Sequence, residues 1–372
     1  MKLGLLTSSR ADFGIYMPLI QKIIKDEFFH LSVIAFGAHT AHANSPSMEE
    51  IQKAHIKNIY KIPCLLSNDE PIGIASSYAL TACKFADFWS NNLFDYVLCL
   101  GDRFEMNAAI QAGIPYGVKF AHLHGGETTL GAIDNIYRHQ ITLASKIHFV
   151  ATPHHAKRVN DIIGTNNTNN VYTVGALSLD EFEHIPLLSN IEFRSVYNLP
   201  LEEEYILITF HPETVAPEQN ELFAHEVYHA LSALAKNYFL VISMPNADTL
   251  GSLYRESLTR LKSTMPNKVH LSETFGKINY FSAMKHATIV LGNSSSGIIE
   301  AASLKKYVVN VGDRQKGRDQ SSNVINCPFA KDDIIQSVVQ AIKLGAYNGT
   351  NIYYAPGTAN QIINIMKKNN FQ

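Results

Sequence analysis

The chain has 372 residues, of which 46% are hydrophobic and 17% charged, and its formal net charge is −2. That length exceeds what one hydrophobic core organises, so two domains are expected. The near-neutral balance, with no long run of Lys or Arg, excludes nucleic acid and anionic membrane as main partners.

The four cysteines, Cys64, Cys83, Cys99 and Cys327, lie far apart and form no CxxC pair. Neither a zinc site nor a disulfide framework is expected, and a reducing cytoplasm is the expected compartment. The opening MKLGLLTSSRADFG turns polar too soon for a signal peptide. No segment reaches the about 20 apolar residues of a membrane span.

Short apolar runs alternate with stretches of helical period. Residues 2–7 read as a strand, 13–25 as a helix, 31–37 as a strand and 74–91 as a long helix. A strand at 96–101 enters the tripeptide GDR, followed by a helix at 104–111 and a strand at 117–123. A helix at 136–145, a strand at 147–151 and a short strand at 171–174 complete the first half. After Leu179 strand character fades and Pro186 intervenes. The second half restarts with strands at 205–210, 239–243, 288–291 and 307–311, and helices at 222–236, 250–261, 280–285 and 296–304.

Alternation without hairpin signals predicts parallel sheets covered on both faces. The expected fold class is α/β, with two Rossmann-like domains facing a central cleft. The expected domains are residues 1–178, with the sugar-side and acid/base residues, and 179–354, with the nucleotide site. A helix in 355–372 is expected to return to the first domain.

Five clusters fall where strands end, which is where open α/β sheets place ligands. Ser8-Ser9-Arg10-Ala11-Asp12 offers a helix N-terminus and a guanidinium to an anion, or simply caps the helix. Gly101-Asp102-Arg103 puts a carboxylate and a cation side by side, as acid/base work beside a phosphate requires, or is a capping Asp with a surface Arg. The run His122-Leu123-His124-Gly125-Gly126-Glu127 is followed by Asp134, Arg138 and His139. No third ligand has tight spacing there, so no metal is expected, and the paired glycines point to a backbone approached closely by ligand.

Phe210-His211-Pro212-Glu213-Thr214 carries a histidine able to titrate near neutrality, or one that is merely structural. Gly292-Asn293-Ser294-Ser295-Ser296-Gly297 sets small hydroxyl residues at a helix start, suited to a diphosphate, with Glu300 one turn in to take ribose hydroxyls. The loop from Gly312 to Arg318 adds Arg314, Lys316 and Arg318; a capped helix beside a solvated basic loop is the plainer alternative.

In order, SRADFG, GDRFE, HxxGGE with AIDNxxRH, HPET, PNAD, GNSSSGIIE and VGDRQKGR span residues 8 to 318. This series resembles the hydrolysing UDP-N-acetylglucosamine 2-epimerases of sialic and legionaminic acid biosynthesis. The resemblance implies the glycosyltransferase-B architecture with UDP between two domains, and no cofactor. It implies that UDP-N-acetylglucosamine and water give N-acetylmannosamine and UDP through a 2-acetamido-glycal. Asp102, Glu127, Asp134 and His211 then form the acid/base set, roles unassigned, with His124 beside them. Arg10, Arg103, Ser294, Ser295, Glu300 and Arg314 form the UDP-binding set, and His39 and Asn246 line the sugar side. The expected partners are a UDP-sugar and water, and a homo-oligomer (dimer or tetramer) is expected.

Three positions depart from members of the sialic acid branch. His124 stands where some have a catalytic Glu, Ile15 replaces a Lys, and Ile299 replaces the Arg before Glu300. A less charged pocket suits UDP-2,4-diacetamido-2,4,6-trideoxyglucose, the alternative substrate. Rival readings are a glycosyltransferase of the same fold, a non-catalytic nucleotide-sugar binder and a non-hydrolysing epimerase. The many ionisable residues at strand ends count against the binder.

Overall fold

The structure, a computed structural model, describes residues 1–41, 45–66, 68, 70–164, 170–180, 182–245 and 251–369. It divides into two compact units. The first comprises Met1–Glu127, Asp134–Glu183 and Tyr353–Gln372, and the second Thr128–Ile133 and His184–Ile352. Sequence alone places residues 128–133 in the first domain, but the structure assigns them to the second unit. Their backbone bonds explain this: Leu130 N donates to Lys316 O at 2.9 Å, and Ile133 N to Thr214 Oγ1 at 2.9 Å.

The first unit carries β1 (Lys2–Thr7), β2 (His30–Phe36), β3 (Asn58–Ile62), β4 (Tyr96–Leu100), β5 (Phe120–Leu123), β6 (Ser145–Val150) and β7 (Val171–Thr173). They form one parallel sheet in the order β3-β2-β1-β4-β5-β6-β7. Its helices are α1 (Arg10–Ile23), α2 (Pro46–Lys53), α3 (Pro71–Asn91), α4 (Phe104–Gly113), α5 (Asp134–Ala144) and α6 (Pro153–Ile163).

Period-two alternation feeds two cores, one on each face. Leu3, Leu5, Leu98 and Leu100 join one with Phe13, Tyr16 and Leu19 of α1. Leu6, Val97 and Cys99 join the other with Phe85, Phe88 and Trp89 of α3. The last helix, Thr358–Asn369, adds Ile362, Ile363 and Met366 to the α1 side, and Thr358 Oγ1 donates to Val174 O at 2.6 Å.

The second unit carries β8 (Tyr205–Thr209), β9 (Phe239–Ser243), β10 (Val269–Ser272), β11 (Val290–Gly292), β12 (Val308–Val311) and β13 (Val324–Cys327). They form a parallel sheet in the order β10-β9-β8-β11-β12-β13. Its helices are α7 (Asn190–Val196), α8 (Asn220–Leu234), α9 (Gly251–Thr264), α10 (Gly276–His286), α11 (Ser295–Ile299) and α12 (Lys331–Leu344). One core gathers Ile206 and Ile208 of β8 with Val227 and Leu231 of α8 and Ile334 and Val338 of α12.

Each sheet has a switch point. In the first, the chain runs outward from β1 through β2 one way and from β4 the other; in the second, β8 and β11 divide in the same manner. At such a point the flanking loops diverge to opposite faces and leave a crevice beyond the strand ends. Among the described residues no helix is long and apolar enough to cross a membrane.

Candidate active site

At the first switch point, the loop after β1 is a capping box. Asp12 Oδ2 accepts from Ser8 N, Ser8 Oγ and Ser9 N at 3.1, 2.7 and 3.1 Å, and Ser9 Oγ accepts from Asp12 N at 3.3 Å. Ser9 and Asp12 are therefore used in capping. Arg10, on the first turn of α1, pairs with Glu50 of α2.

His39 is buried with both ring nitrogens engaged, at 2.9 Å from Thr7 Oγ1 and 2.9 Å from Ser47 Oγ. Burial pulls its pKa down to about 4, partly offset by Asp12, so the ring is neutral at pH 7.

The loop after β4 separates the neighbours Asp102 and Arg103. Asp102 pairs with Arg138 of α5, whose side chain is only 2% exposed, and Arg138 Nη1 also donates to Glu127 O at 3.1 Å. Arg103 donates to Glu105 Oε1 at 3.1 Å instead. Arg103 is the N-cap residue of α4, in extended conformation (φ −66°, ψ 149°). Glu105 is fully buried in the first turn of that helix, where a carboxylate is favoured.

His122 in β5 and His124 just after it differ. His122 Nε2 donates to Gly101 O at 2.8 Å, and burial drives its pKa down to about 3. It is a neutral brace between two strand ends. His124, with φ +62°, places Nδ1 2.9 Å from Glu127 Oε1, while its buried Nε2 has no hydrogen-bond partner. A carboxylate only accepts, so Nδ1 donates to Glu127 and the ring is oriented with Nε2 pointing away from that bond.

Both of the paired glycines are tightly packed against protein atoms. A Cβ on Gly126 would lie 2.3 Å from His155 O, and one on Gly125 2.9 Å from His122 Nδ1. Asp134 opens α5 one turn before Arg138. Among the described residues no group of three or more His, Cys, Asp or Glu is arranged to hold a metal.

At the second switch point the loops after β8 and β11 are tied together. His211 N donates to Asn293 Oδ1 at 2.7 Å, and Asn293 Nδ2 returns a bond to His211 O at 2.8 Å. His211 itself is buried. Gly292 takes φ +136°, and a Cβ there would fall 1.9 Å from Thr209 O, so only glycine fits. Ser294 precedes α11 without spending its hydroxyl on a cap, Ser295 starts the helix, and Glu300 is buried at its end. Tyr280 OH lies 2.8 Å from Ser296 Oγ.

The 312–318 loop joins this system. Arg314 Nη1 and Gln315 Nε2 reach Asn293 O at 3.4 and 2.9 Å. Glu213 Oε1 accepts from Asp313 N at 2.5 Å and Arg314 N at 3.0 Å. Burial pushes the Glu213 pKa up, and those two amides partly offset it. The Arg314 guanidinium thus lies beside the carbonyl that precedes Ser294 and Ser295, and a guanidinium with hydroxyls is chemistry suited to an anionic phosphate group.

Residues 21–367 match the UDP-N-acetylglucosamine 2-epimerase family. The chain belongs to that family. A Campylobacter jejuni relative, GDP/UDP-N,N'-diacetylbacillosamine 2-epimerase (hydrolyzing), is 33% identical over 325 residues, covering 87% of this chain and 84% of the relative. A Legionella pneumophila relative, UDP-N,N'-diacetylbacillosamine 2-epimerase (hydrolyzing), is 30% identical over 366 residues, covering 98% and 95%. The crystal structure of UDP-GlcNAc 2-epimerase from Neisseria meningitidis bound to UDP-GlcNAc matches with a TM-score of 0.79 at 19% identity, covering 99% of this chain and 100% of that one. The fold is thus the glycosyltransferase-B type, built from two Rossmann-like domains, and the protein is a UDP-sugar 2-epimerase.

Within each unit of the epimerase the candidates converge unevenly. In the first unit Asp102, Glu127 and His124 gather around Arg138, whereas Arg10 and His39 are each occupied by protein partners. In the second, His211 and Arg314 meet at Asn293. Asn246 lies outside the described residues. Ile15 packs against the first unit's core and Ile299 is buried, so their replacement of cations serves packing. Sequence reasoning missed Arg138, Glu105, Glu213 and Asn293 as organisers. Their signal was present, because each is a polar residue inside a quoted motif whose neighbours point to a ligand.

Proposed function

We propose that the epimerase is of the hydrolysing kind and acts on UDP-N,N'-diacetylbacillosamine, that is, UDP-2,4-diacetamido-2,4,6-trideoxyglucose. The products are UDP and the free 2-epimeric sugar. The two hydrolysing relatives named for that sugar support the choice. UDP-N-acetylglucosamine, giving N-acetylmannosamine, is the second reading, supported by the family description. The four free cysteines, three of them buried, support a reducing cytoplasm as the site of action.

The observation that carries the reading is the Glu127–His124 pair with Nε2 buried and unbonded. A histidine oriented at Nδ1 by a carboxylate and open at Nε2 is built to move a proton. In the proposed course, His124 Nε2 takes the C2 proton while the C1–O bond to UDP breaks, leaving the 2-acetamido-glycal. Arg314, Arg10 and Arg103, with Ser294 and Ser295, receive the departing diphosphate, and Glu300 holds the ribose. Water then adds at C1, giving up its proton, and a proton returns to C2 from the opposite face. Asp102, Asp134 and His211 supply those two transfers. His39 and Asn246 complete the sugar side.

The test is turnover of each UDP-sugar in D₂O with NMR of the product. Release of the 2-epimer with deuterium at C2 is expected. Product keeping hydrogen at C2 rules out the glycal route, and turnover that needs an acceptor sugar makes the protein a glycosyltransferase.

A further inference from the structure

Hydroxyls of four residues, all in the second unit, converge where β8 and β11 end: Thr209 closing β8, Tyr280 in α10, and Ser294 and Ser296 around the start of α11. Tyr280 OH lies 2.8 Å from Ser296 Oγ and 3.4 Å from Thr209 Oγ1. Ser296 Oγ in turn lies 3.2 Å from Ser294 Oγ. The contacts form one line, Thr209–Tyr280–Ser296–Ser294. Thr209 is buried and Ser294 half-buried, so the line runs from the interior toward the surface.

The phenol inside this line keeps its proton. Burial pushes the Tyr280 pKa up, the bonds to Ser296 and Thr209 partly offset that, and the Glu300 charge adds to it. A hydroxyl carries one proton and two lone pairs. Three links among four hydroxyls consume three protons, so one is left to donate outside the line. An anion beside Ser294 selects the direction of every link: Thr209 donates to Tyr280, Tyr280 to Ser296, Ser296 to Ser294, and Ser294 to the anion. Hydrogen bonds aligned in one sense polarise one another, which strengthens the outermost donor.

We propose that Tyr280 is a positioning residue of the second unit's phosphate site, ordering this line of hydroxyls so that Ser294 presents its proton to a phosphate oxygen of a nucleoside diphosphate. Tyr280 acts through Ser296 and does not itself touch the ligand. The inference rests on Ser294 as a diphosphate ligand.

The experiment is calorimetry of the full chain with UDP, beside ligand-observed NMR titration of uridine, which lacks the phosphates. Tyr280→Phe keeps the ring and removes the donor. Its UDP affinity is expected to fall about three- to ten-fold while its uridine affinity stays within about two-fold. Ser296→Ala cuts the next link and should show the same phosphate-selective loss, which keeps the idea testable if the phenylalanine variant misfolds. The double variant should lose little more than the larger single loss, because both changes act through Ser294.

UDP bound as tightly by both single variants as by the wild type overturns the role of Tyr280. So do equal losses for UDP and uridine, or losses that add in the double variant. In each of these cases, wild-type binding of UDP leaves the diphosphate reading standing. Failure of the wild type to bind UDP removes that reading and the role of Tyr280 with it.

Discussion

Asp102 is paired with Arg138, thirty-six positions away, and not with its neighbour Arg103. Arg138 is buried, donates also to the Glu127 carbonyl, and so sets the spacing of two acid/base candidates. A buried guanidinium facing one carboxylate holds it in a single orientation through charge-assisted bonds.

Asp102→Asn keeps the shape and removes the proton-accepting charge. Turnover is expected to fall by roughly 10²–10⁴, the range for a positioned acid/base, while UDP affinity stays within a few-fold. Stability should also drop by about 1–3 kcal/mol, because Arg138 loses its counter-charge. Kinetics, calorimetry and urea unfolding read the three effects. Near-normal turnover would move the role to Glu127, Asp134 or His124.

Arg314 and Arg10 should separate on UDP binding. Arg314 lies along the Asn293 carbonyl, just before Ser294 and Ser295, whereas Arg10 is paired with Glu50. Arg314→Ala is expected to cost about 1.5–3 kcal/mol of UDP affinity, and Arg10→Ala less. Calorimetry showing the reverse order would put the diphosphate on the first unit's loop.

Much of the fold was legible because its central strands are buried on both faces and read as apolar runs, as YVLCL and YILIT do. The outer strands β3, β10 and β13 escaped: NIYKI, VHLS and VINC mix exposed and half-buried positions at sheet edges. Helix α6 escaped because PHHAKRVNDII is mostly polar, and its start is marked chiefly by the Thr152 cap. The site clusters were legible as strand-end chemistry, but their pairings were not. Asp102 and Arg103 were legible as a carboxylate beside a cation, but not their partners Arg138 and Glu105, which only the fold supplies. The excursion of residues 128–133 into the second unit left no periodic signal, since a turn resting on a loop has none.

Gly292 should tolerate no side chain. Its φ of +136° and the 1.9 Å approach of a Cβ to Thr209 O force the β8 and β11 ends apart in Gly292→Ala. A loss of more than about 2 kcal/mol in unfolding free energy is expected. UDP affinity should fall with it, because the His211–Asn293 exchange spans the same two strand ends. Unfolding curves and UDP titrations matching wild type would show that the two loops are not held by this approach.

Acid stability should depend on His39, His122 and His148. All three are buried, and burial lowers their pKa values from the ordinary 6.5 to about 4, about 3 and about 4. In the unfolded chain each takes a proton near pH 6.5, while in the native state it resists until about pH 4 or below. Between those limits the unfolded state binds up to three more protons, so stability falls as pH drops from about 6.5 and levels off near 3. Each proton contributes a slope of about 1.4 kcal/mol per pH unit, and above pH 7 the three are silent.

Glu213 acts in the opposite sense: its raised pKa gives stability at low pH that is lost as pH rises through it. One carboxyl against three histidines leaves the net slope downward on acidification. Urea midpoints should therefore drop steeply between pH 6.5 and 4.5. His148→Leu, at a buried site of β6 paired with His122 of β5, should remove about one proton from that slope. Midpoints that stay flat from pH 7 to 5, or a leucine variant with an unchanged slope, would show that these rings accept protons in the folded protein.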